Sequence, residues 1–261
     1  MKIAIIGAGN MGGAIARGIA AAIAAGQSHH TLVVSNPSEG KLNALKSAFP
    51  FIETYTDNAG AIEGADLVIL AVKPWLVEQV LKEAGALLGK ETILVSVAAG
   101  ITLDSLENMA GEKHRAVYRA MPNTAAAVGR SMTFVAGKNT TPESDEAVKA
   151  IFENVGTVMM IEERLMAAGT SLSGCGIAYI FRFIRAMQEG GVQLGFYPKD
   201  ALNIVAQTME GALKLLETNG SHPEQEIDKV TTPGGLTIKG LNTMEQAGFT
   251  NAVIQGLTRN S

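Results

Sequence analysis

The amino-terminal stretch limits what this chain can fold into more than any other part. Lys2-Ile-Ala-Ile-Ile6 is a short apolar run of the kind that forms a buried parallel strand. Gly7-Ala-Gly-Asn-Met-Gly12 follows without a gap, and an Ala-rich helical stretch then runs to about Ala25. This is G-x-G-x-x-G between a strand and a helix, the context in which the motif binds a dinucleotide. Gly7 permits the tight turn, Gly9 lets the backbone approach a pyrophosphate, and Gly12 lets the helix sit close to the strand. Asn10 and Met11 open the helix, whose N-terminus attracts phosphate. On its own the motif is also compatible with a plain Gly-rich turn.

The flanking pattern continues as alternating strands and helices. Strands are expected at Thr31–Val34, Phe51–Tyr55, Leu67–Val72, Thr92–Ser96, Arg115–Ala120, Met132–Ala136 and Thr157–Ile161. Helices are expected at Lys41–Ala48, from Asp57-Asn58, from Pro74 to about Leu88, and from Thr141-Pro142-Glu143. Such alternation implies an α/β domain with a parallel sheet and right-handed crossovers. Ligands of such sheets lie beyond the carboxyl ends of the strands. Gly7–Gly12, Ser35–Ser38, Ala71–Pro74, Ala98–Gly100 and Met121–Thr124 all fall at such ends and should form one rim.

A NAD site usually carries an acid after the second strand, about 20 residues beyond the glycines. Here Ser35-Asn36-Pro37-Ser38 stands there, followed by Glu39 and Lys41. Small polar groups with a nearby lysine suit a ribose 2′-phosphate, so NADPH is expected over NADH, with Glu39 the opposing feature. NADH use stays possible.

After about Glu162 the strand pattern stops, which divides the chain into 1–161 and 162–261. Helices are expected at Ala178–Leu194, Lys199–Thr218 and Phe249–Leu257. Their apolar positions recur every three or four residues and exceed what a lone helical segment can bury. Packing on the first domain would cover them, and so would a dimer of intertwined helices; the dimer is favoured. A net charge of −4 gives no footprint for nucleic acid. The apolar stretch Ala14–Ala25 contains Arg17 and is too short to span a bilayer. A lone cysteine, Cys175, excludes an internal disulfide framework and fits a reducing, cytoplasmic setting. The adjacent His29 and His30 lie in a loop without further ligands nearby in sequence, so no metal site is expected.

Two segments are dense in Gly and small hydroxyl residues: Ser171–Tyr179 and Thr231-Thr-Pro-Gly-Gly-Leu-Thr237. Both lack side chains to pack and are expected to meet a small polar ligand through backbone N–H groups and hydroxyls.

With Gly7–Gly12, Ala71-Val-Lys-Pro74, Arg119-Ala-Met-Pro-Asn-Thr124, Ser171–Tyr179, His222-Pro223 and Val230–Ile238, the chain resembles pyrroline-5-carboxylate reductases nearly end to end. The resemblance implies a Rossmann-type domain, a helical dimerisation domain, and a substrate pocket completed by the partner subunit. Homodimers or assemblies of dimers follow from it. It also implies a reaction: NADPH-dependent reduction of 1-pyrroline-5-carboxylate, a cyclic imine carboxylate, to L-proline. Carried over residue by residue, Asn58, Ala71, Val72, Lys73 and Pro74 would contact the cofactor. Met121, Pro122 and Asn123 would lie near the nicotinamide, with Asn123 also reaching substrate. Thr232, Gly234, Gly235, Leu236 and Thr237 would form the substrate loop.

The residue types suit that chemistry. A protonated imine accepts hydride readily, so the site needs little acid–base machinery and gains most from positioning. The Thr237 hydroxyl would hold the ring nitrogen, and backbone N–H groups from Gly235 to Thr237 would hold the carboxylate. Thr237 would equally serve as a helix N-cap. The chain departs from the family pattern at Cys175, Ile177, Ala125 and Arg185. An imine reductase of altered substrate therefore remains open, as does a non-catalytic NADP-binding dimer. A hydroxyacid dehydrogenase would need a lysine in the helix carrying Ser173-Gly-Cys-Gly176, and none is there.

Overall fold

The computed structural model describes residues 1–111 and 116–259. It divides into two compact units, Met1–Gly174 and Cys175–Ser261.

The first unit opens with β1 (Lys2–Ile6), α1 (Asn10–Ala24), β2 (Thr31–Ser35), α2 (Glu39–Ala48), β3 (Glu53–Tyr55), α3 (Asn58–Ile62), β4 (Leu67–Leu70), α4 (Pro74–Ala84) and β5 (Ile93–Ser96). It continues with α5 (Leu103–Ala110), β6 (Val117–Met121), β7 (Ser131–Lys138), α6 (Pro142–Glu153), β8 (Gly156–Met160) and α7 (Met166–Gly169). The strands form one sheet in the order β3-β2-β1-β4-β5-β6-β7-β8. The order reverses between β1 and β4, which creates a crevice at the carboxyl ends of those two strands.

Both faces of the central strands are buried, as the unbroken apolar runs require, while the edge strands β3 and β8 stay part-exposed. Ile3 and Ile5 of β1 share a core with Ile15 and Ile19 of α1 and Phe152 of α6. Ala4 and Ile6 point the other way, into a core with Val77 and Leu81 of α4 and Leu106 of α5. Each isoleucine buried in this way contributes about 1.5–3 kcal/mol. Tyr118 of β6 is also fully buried. Its hydroxyl donates to Asp145 Oδ1 at 2.7 Å, and burial raises the phenol's pKa.

The sheet departs from the fully parallel one expected. β6 and β7 run antiparallel, with Val117 opposite Lys138 and Met121 opposite Phe134. The link between them holds only a 3₁₀ turn, Thr124–Val128. A parallel return needs a dozen or more residues of crossover, so this link can only make a corner. Arg115, the first residue of the expected strand there, lies outside the described residues. The sequence reading assigned no element to α5, although Thr102 caps it by accepting from the Ser105 N–H at 3.1 Å.

The second unit is helical: α8 (Gly176–Gln193), α9 (Pro198–Asn219), α10 (Pro223–Val230), α11 (Leu236–Gln246) and α12 (Phe249–Thr258). α8 and α9 form a hairpin in which a Cβ at Gly191 would stand 3.0 Å from that of Ala201. Phe183 meets Phe249 at 5.9 Å between ring centres, and the Tyr179 hydroxyl donates to the Gly256 carbonyl at 3.2 Å. α10 was not anticipated, although His222-Pro223 is a start signal, and α11 was foreshadowed only by Thr237 as a helix N-cap. The His222 ring accepts from the Glu224 N–H at 3.2 Å, and the Gln225 side chain accepts from the His222 N–H at 3.0 Å.

The segment from Ser171 also differs from expectation. Thr170–Cys175 is a π-helical turn that runs directly into α8, and Ser171 and Gly176 are buried. Small residues here serve close packing: a Cβ at nearby Gly169 would stand 2.7 Å from the Phe134 ring.

Candidate active site

Four strand ends of the first unit form the rim. The Gly7 N–H donates to the Ser35 carbonyl at 2.8 Å, Ala71 to Ile6 at 2.8 Å, Asn36 to Tyr55 at 3.1 Å, and Val97 to Leu70 at 3.0 Å. These bonds extend the sheet one step past its strands and hold the loops in line.

Within this rim the glycine turn is shaped by contact. Gly7 has φ +103°, a region that excludes most side chains. A Cβ at Gly12 would lie 2.8 Å from the Ala71 Cβ and closer still to the Gly7 carbonyl oxygen. At Gly9 a Cβ would meet nothing within 4 Å, so its bareness leaves room above the turn. Gly9 caps α1 without a side-chain bond, and the first turn, with Asn10 and Met11, carries no acid. The free N–H groups of that turn face no competing carboxylate and fit a pyrophosphate.

The end of β2 is tied into the same turn. Asn36 Oδ1 accepts from the Ala8 N–H at 3.0 Å, and Asn36 Nδ2 donates to the Ser38 carbonyl at 3.1 Å. The Ser35 hydroxyl donates to Asn58 Oδ1 at 2.9 Å. Ser35 is fully buried, and Asn36 is nearly so. Their polar groups thus shape the turn. Asn58 opens α3, which Asp57 caps by accepting from the Gly60 N–H at 2.8 Å. Ala71 and Val72 lie on the β4 side of the crevice, where Lys73 caps α4 without a side-chain bond and Pro74 takes its first position.

The β6 end is a clasp around Asn123. Its N–H donates to Ser131 Oγ at 3.0 Å, its Oδ1 accepts from the Ala125 N–H at 3.0 Å, and its Nδ2 donates to Ser173 Oγ at 3.0 Å. Ser173 Oγ in turn donates to the Met132 carbonyl at 3.2 Å. Asn123 is buried, so its amide holds the shape of Met121–Thr124. Beneath it, Glu163 Oε1 accepts from Arg119 Nη1 and from the Leu103 N–H, each at 2.7 Å. Ser131 and Glu163 escaped the sequence reading, and Ser173 stood there only within a segment expected to meet a ligand, because their partners lie up to 60 residues away along the chain. No local spacing signals such pairs.

In the second unit, Thr231–Gly235 makes a turn. The Gly235 N–H donates to the Thr232 carbonyl at 2.9 Å, and Gly234 has φ +69°. A Cβ at Gly235 would stand 2.6 Å from Thr232 Oγ1. Gly235 is the N-cap of α11 and supplies no side-chain cap; no acid stands in the first turn. Thr237 is therefore the second residue of the helix, not its N-cap. Thr237 and Leu236 are both exposed, Leu236 at 88%. The turn presents unsatisfied N–H groups beside an exposed hydroxyl, which suits a small carboxylate.

Comparison with known proteins agrees with both halves. Residues 163–260 match the family "Pyrroline-5-carboxylate reductase dimerisation", and residues 2–100 match "NADP oxidoreductase coenzyme F420-dependent". The chain is 41% identical to the pyrroline-5-carboxylate reductase of Methanosarcina acetivorans, over 99% of this chain and 96% of that one. It is 38% identical to the Escherichia coli enzyme of the same name, over 99% and 95%. The crystal structure of Plasmodium falciparum pyrroline carboxylate reductase with NADP bound superposes with a TM-score of 0.88 at 27% identity, covering 100% of this chain and 95% of that one. A Rossmann-type sheet ending in a glycine turn, followed by helices that lead into Thr-Thr-Pro-Gly-Gly, thus identifies the chain as a member of the pyrroline-5-carboxylate reductase family.

Proposed function

We propose that this chain reduces 1-pyrroline-5-carboxylate to L-proline, the last step of proline biosynthesis, and that it works as a cytoplasmic homodimer or an assembly of dimers. The observation that carries this reading is the uncapped first turn of α11, entered through Thr-Pro-Gly-Gly and bearing the exposed Thr237 hydroxyl. NADPH supplies the hydride. The glycine turn, with Gly7, Gly9, Asn10, Met11 and Gly12, binds its pyrophosphate. Ser35, Asn36 and Asn58 shape the ribose end, and Ala71–Pro74 flank it.

Substrate recognition belongs to the loop of the second unit. The N–H groups of Leu236 and Thr237 hold the carboxylate, while the Gly235 N–H, expected to join them, is spent on the Thr232 carbonyl and with Gly234 fixes the turn that aims them. Thr237 Oγ1 orients the ring nitrogen, so that the imine carbon is presented in one pose. This is catalysis by positioning, for which effective molarities reach about 10⁵ M or more. Asn123 acts by setting the 121–124 rim. A functional boundary at 161/162 separates cofactor binding from helices that dimerise and carry the substrate loop. Exposed apolar residues on α8 and α9, among them Ile180, Phe181 and Leu213, supply the faces for dimerisation. Among the described residues no helix is long and apolar enough to cross a membrane.

The test is NADPH oxidation with and without 1-pyrroline-5-carboxylate. Turnover that needs the imine supports the proposal. Turnover only with other cyclic imines would move the substrate, and tight NADPH binding without any imine-dependent oxidation would end the enzymatic reading.

A further inference from the structure

We propose that Arg17 and Lys41 form a two-cation cleft that selects the phosphorylated cofactor, with Arg17 the determinant that the end of β2 lacks. This rests on the NADPH reading above and names residues that would enforce it. At the β2 end, where the ribose would stand, the buried polar side chains are spent. Ser35 donates to Asn58, and Asn36 is held by Ala8 and Ser38. No cation stands among Ser35–Ser38, so charge for a 2′-phosphate must come from elsewhere.

A cleft of about 430 Å³ supplies it. One wall is the face of α1 carrying Gly9, Asn10, Gly13, Ala14 and Arg17, and Lys41 stands on the α2 wall. Side chains on a helix lean toward its N-terminus, and Gly13 and Ala14 put no bulk in the path. Arg17 lines the same cleft as Gly9 and Asn10 of the glycine turn, and that lean brings its guanidinium toward them. It is half-buried, and among the described residues it makes no ion pair or hydrogen bond. Lys41, exposed in the first turn of α2, has none there either. The Asn36–Ala8 bond fastens the β2 end to the same turn at which the cleft opens. Glu39 is the acid nearest in sequence. It stands two residues before Lys41, a spacing that turns it to a different side of α2. Two unpaired cations in one cleft are suited to a phosphate monoester and gain nothing from a ribose hydroxyl.

Calorimetric titration of the full chain with 2′,5′-ADP and with 5′-AMP tests this without turnover. The native protein is expected to bind 2′,5′-ADP more tightly than AMP. Arg17→Gln should weaken 2′,5′-ADP roughly tenfold, and Lys41→Gln by about half that factor, while AMP affinity stays put. Arg17→Lys, which keeps the charge on a slightly shorter side chain, should recover part of the loss seen with Gln. Preference for 2′,5′-ADP that survives both Gln variants overturns the cleft and leaves the NADPH reading standing. Equal loss of AMP would place Arg17 in folding or at the pyrophosphate and also overturns it. A native protein that binds AMP as well as 2′,5′-ADP overturns the NADPH preference together with the cleft.

Discussion

The two units solve the burial problem in opposite ways. In the first, central strands such as Leu67–Leu70 are wholly buried between the unit's own helices, and exposure is greatest along the edge strands β3 and β8. In the second, Ala201 and Val205 are the buried hydrophobic residues among those described, while Tyr197 is 80% and Leu194 82% exposed. A chain that leaves so much apolar helix surface bare is built to be covered by something else. The lesson concerns tolerance. A self-sufficient core cannot absorb a methyl group, whereas the second unit should respond mainly to changes that alter its association.

The sharpest way to break that contrast is a pair of Gly→Ala changes. At Gly12 the new methyl collides with the Gly7 carbonyl and the Ala71 side chain. NADPH affinity measured by fluorescence titration should fall about 1000-fold or the unit should fail to fold. At Gly190 of α8 a Cβ meets nothing within 4 Å, so the change should raise the melting temperature slightly, worth roughly 0.5–1 kcal/mol. A strong loss there would mean that a second chain approaches that helix.

Thr237→Ala addresses the reacting end of the second unit. Turnover should fall about 100-fold with NADPH affinity kept, a separation that steady-state kinetics and titration read together. Next in size, Phe181→Asp puts a charge on the exposed α8 face. Sedimentation should show the dimer dissociation constant raised by roughly 30-fold or more. An unchanged assembly would mean that this face is bare in solution, and the contrast between units would lose its explanation.

Ser173→Ala probes the first unit's rim more gently. It removes one bond from the Asn123 amide and leaves that buried donor unsatisfied, at a cost of about 1–3 kcal/mol. The expected result is a lower kcat with little change in NADPH affinity, partly rescued by Ser173→Thr. The smallest effect concerns pH. The Lys229 ammonium, with hydrogen bonds from Ser221 and Asn219, holds the Glu226 carboxyl down to about 2. A depressed carboxylate stabilises the fold above its ordinary range and loses that contribution as pH falls toward 2. Circular dichroism between pH 5 and pH 2 should show the second unit losing helix in that window. Glu226→Gln should abolish this part of the acid response.

Much of this was legible because it is local. Lys2–Ile6 and Leu67–Leu70 are apolar on both faces, and only a covered parallel strand tolerates that. Thr141-Pro142-Glu143 announced α6, where Thr141 Oγ1 accepts from the Ser144 N–H at 3.2 Å. The β6–β7 corner was missed because both partners read as good strands, and direction depends on the length of the link between them. The π turn at Thr170–Cys175 was missed because Gly and Ser look the same to a periodicity whether they are packed or open. The sequence named Ser35 and Asn36 as polar groups at the right strand end. That their side chains would be consumed by Asn58, Ala8 and Ser38 depended on neighbours brought by β3 and the glycine turn.

By itself the sequence determined the alternation of strand and helix, the dinucleotide turn, the change to helices after residue 161 and the family. Each is written in residues adjacent along the chain, where propensity and spacing act directly. Only the tertiary structure decided which polar side chains remain available. Asn123 is committed to Ser173 and Ala125, Thr237 stands open in the first turn of α11, and Arg17 faces a cleft with Lys41. A hydrogen bond is short and directional, so whether a group is spent depends on placement to a fraction of an ångström, and sequence spacing carries no such information.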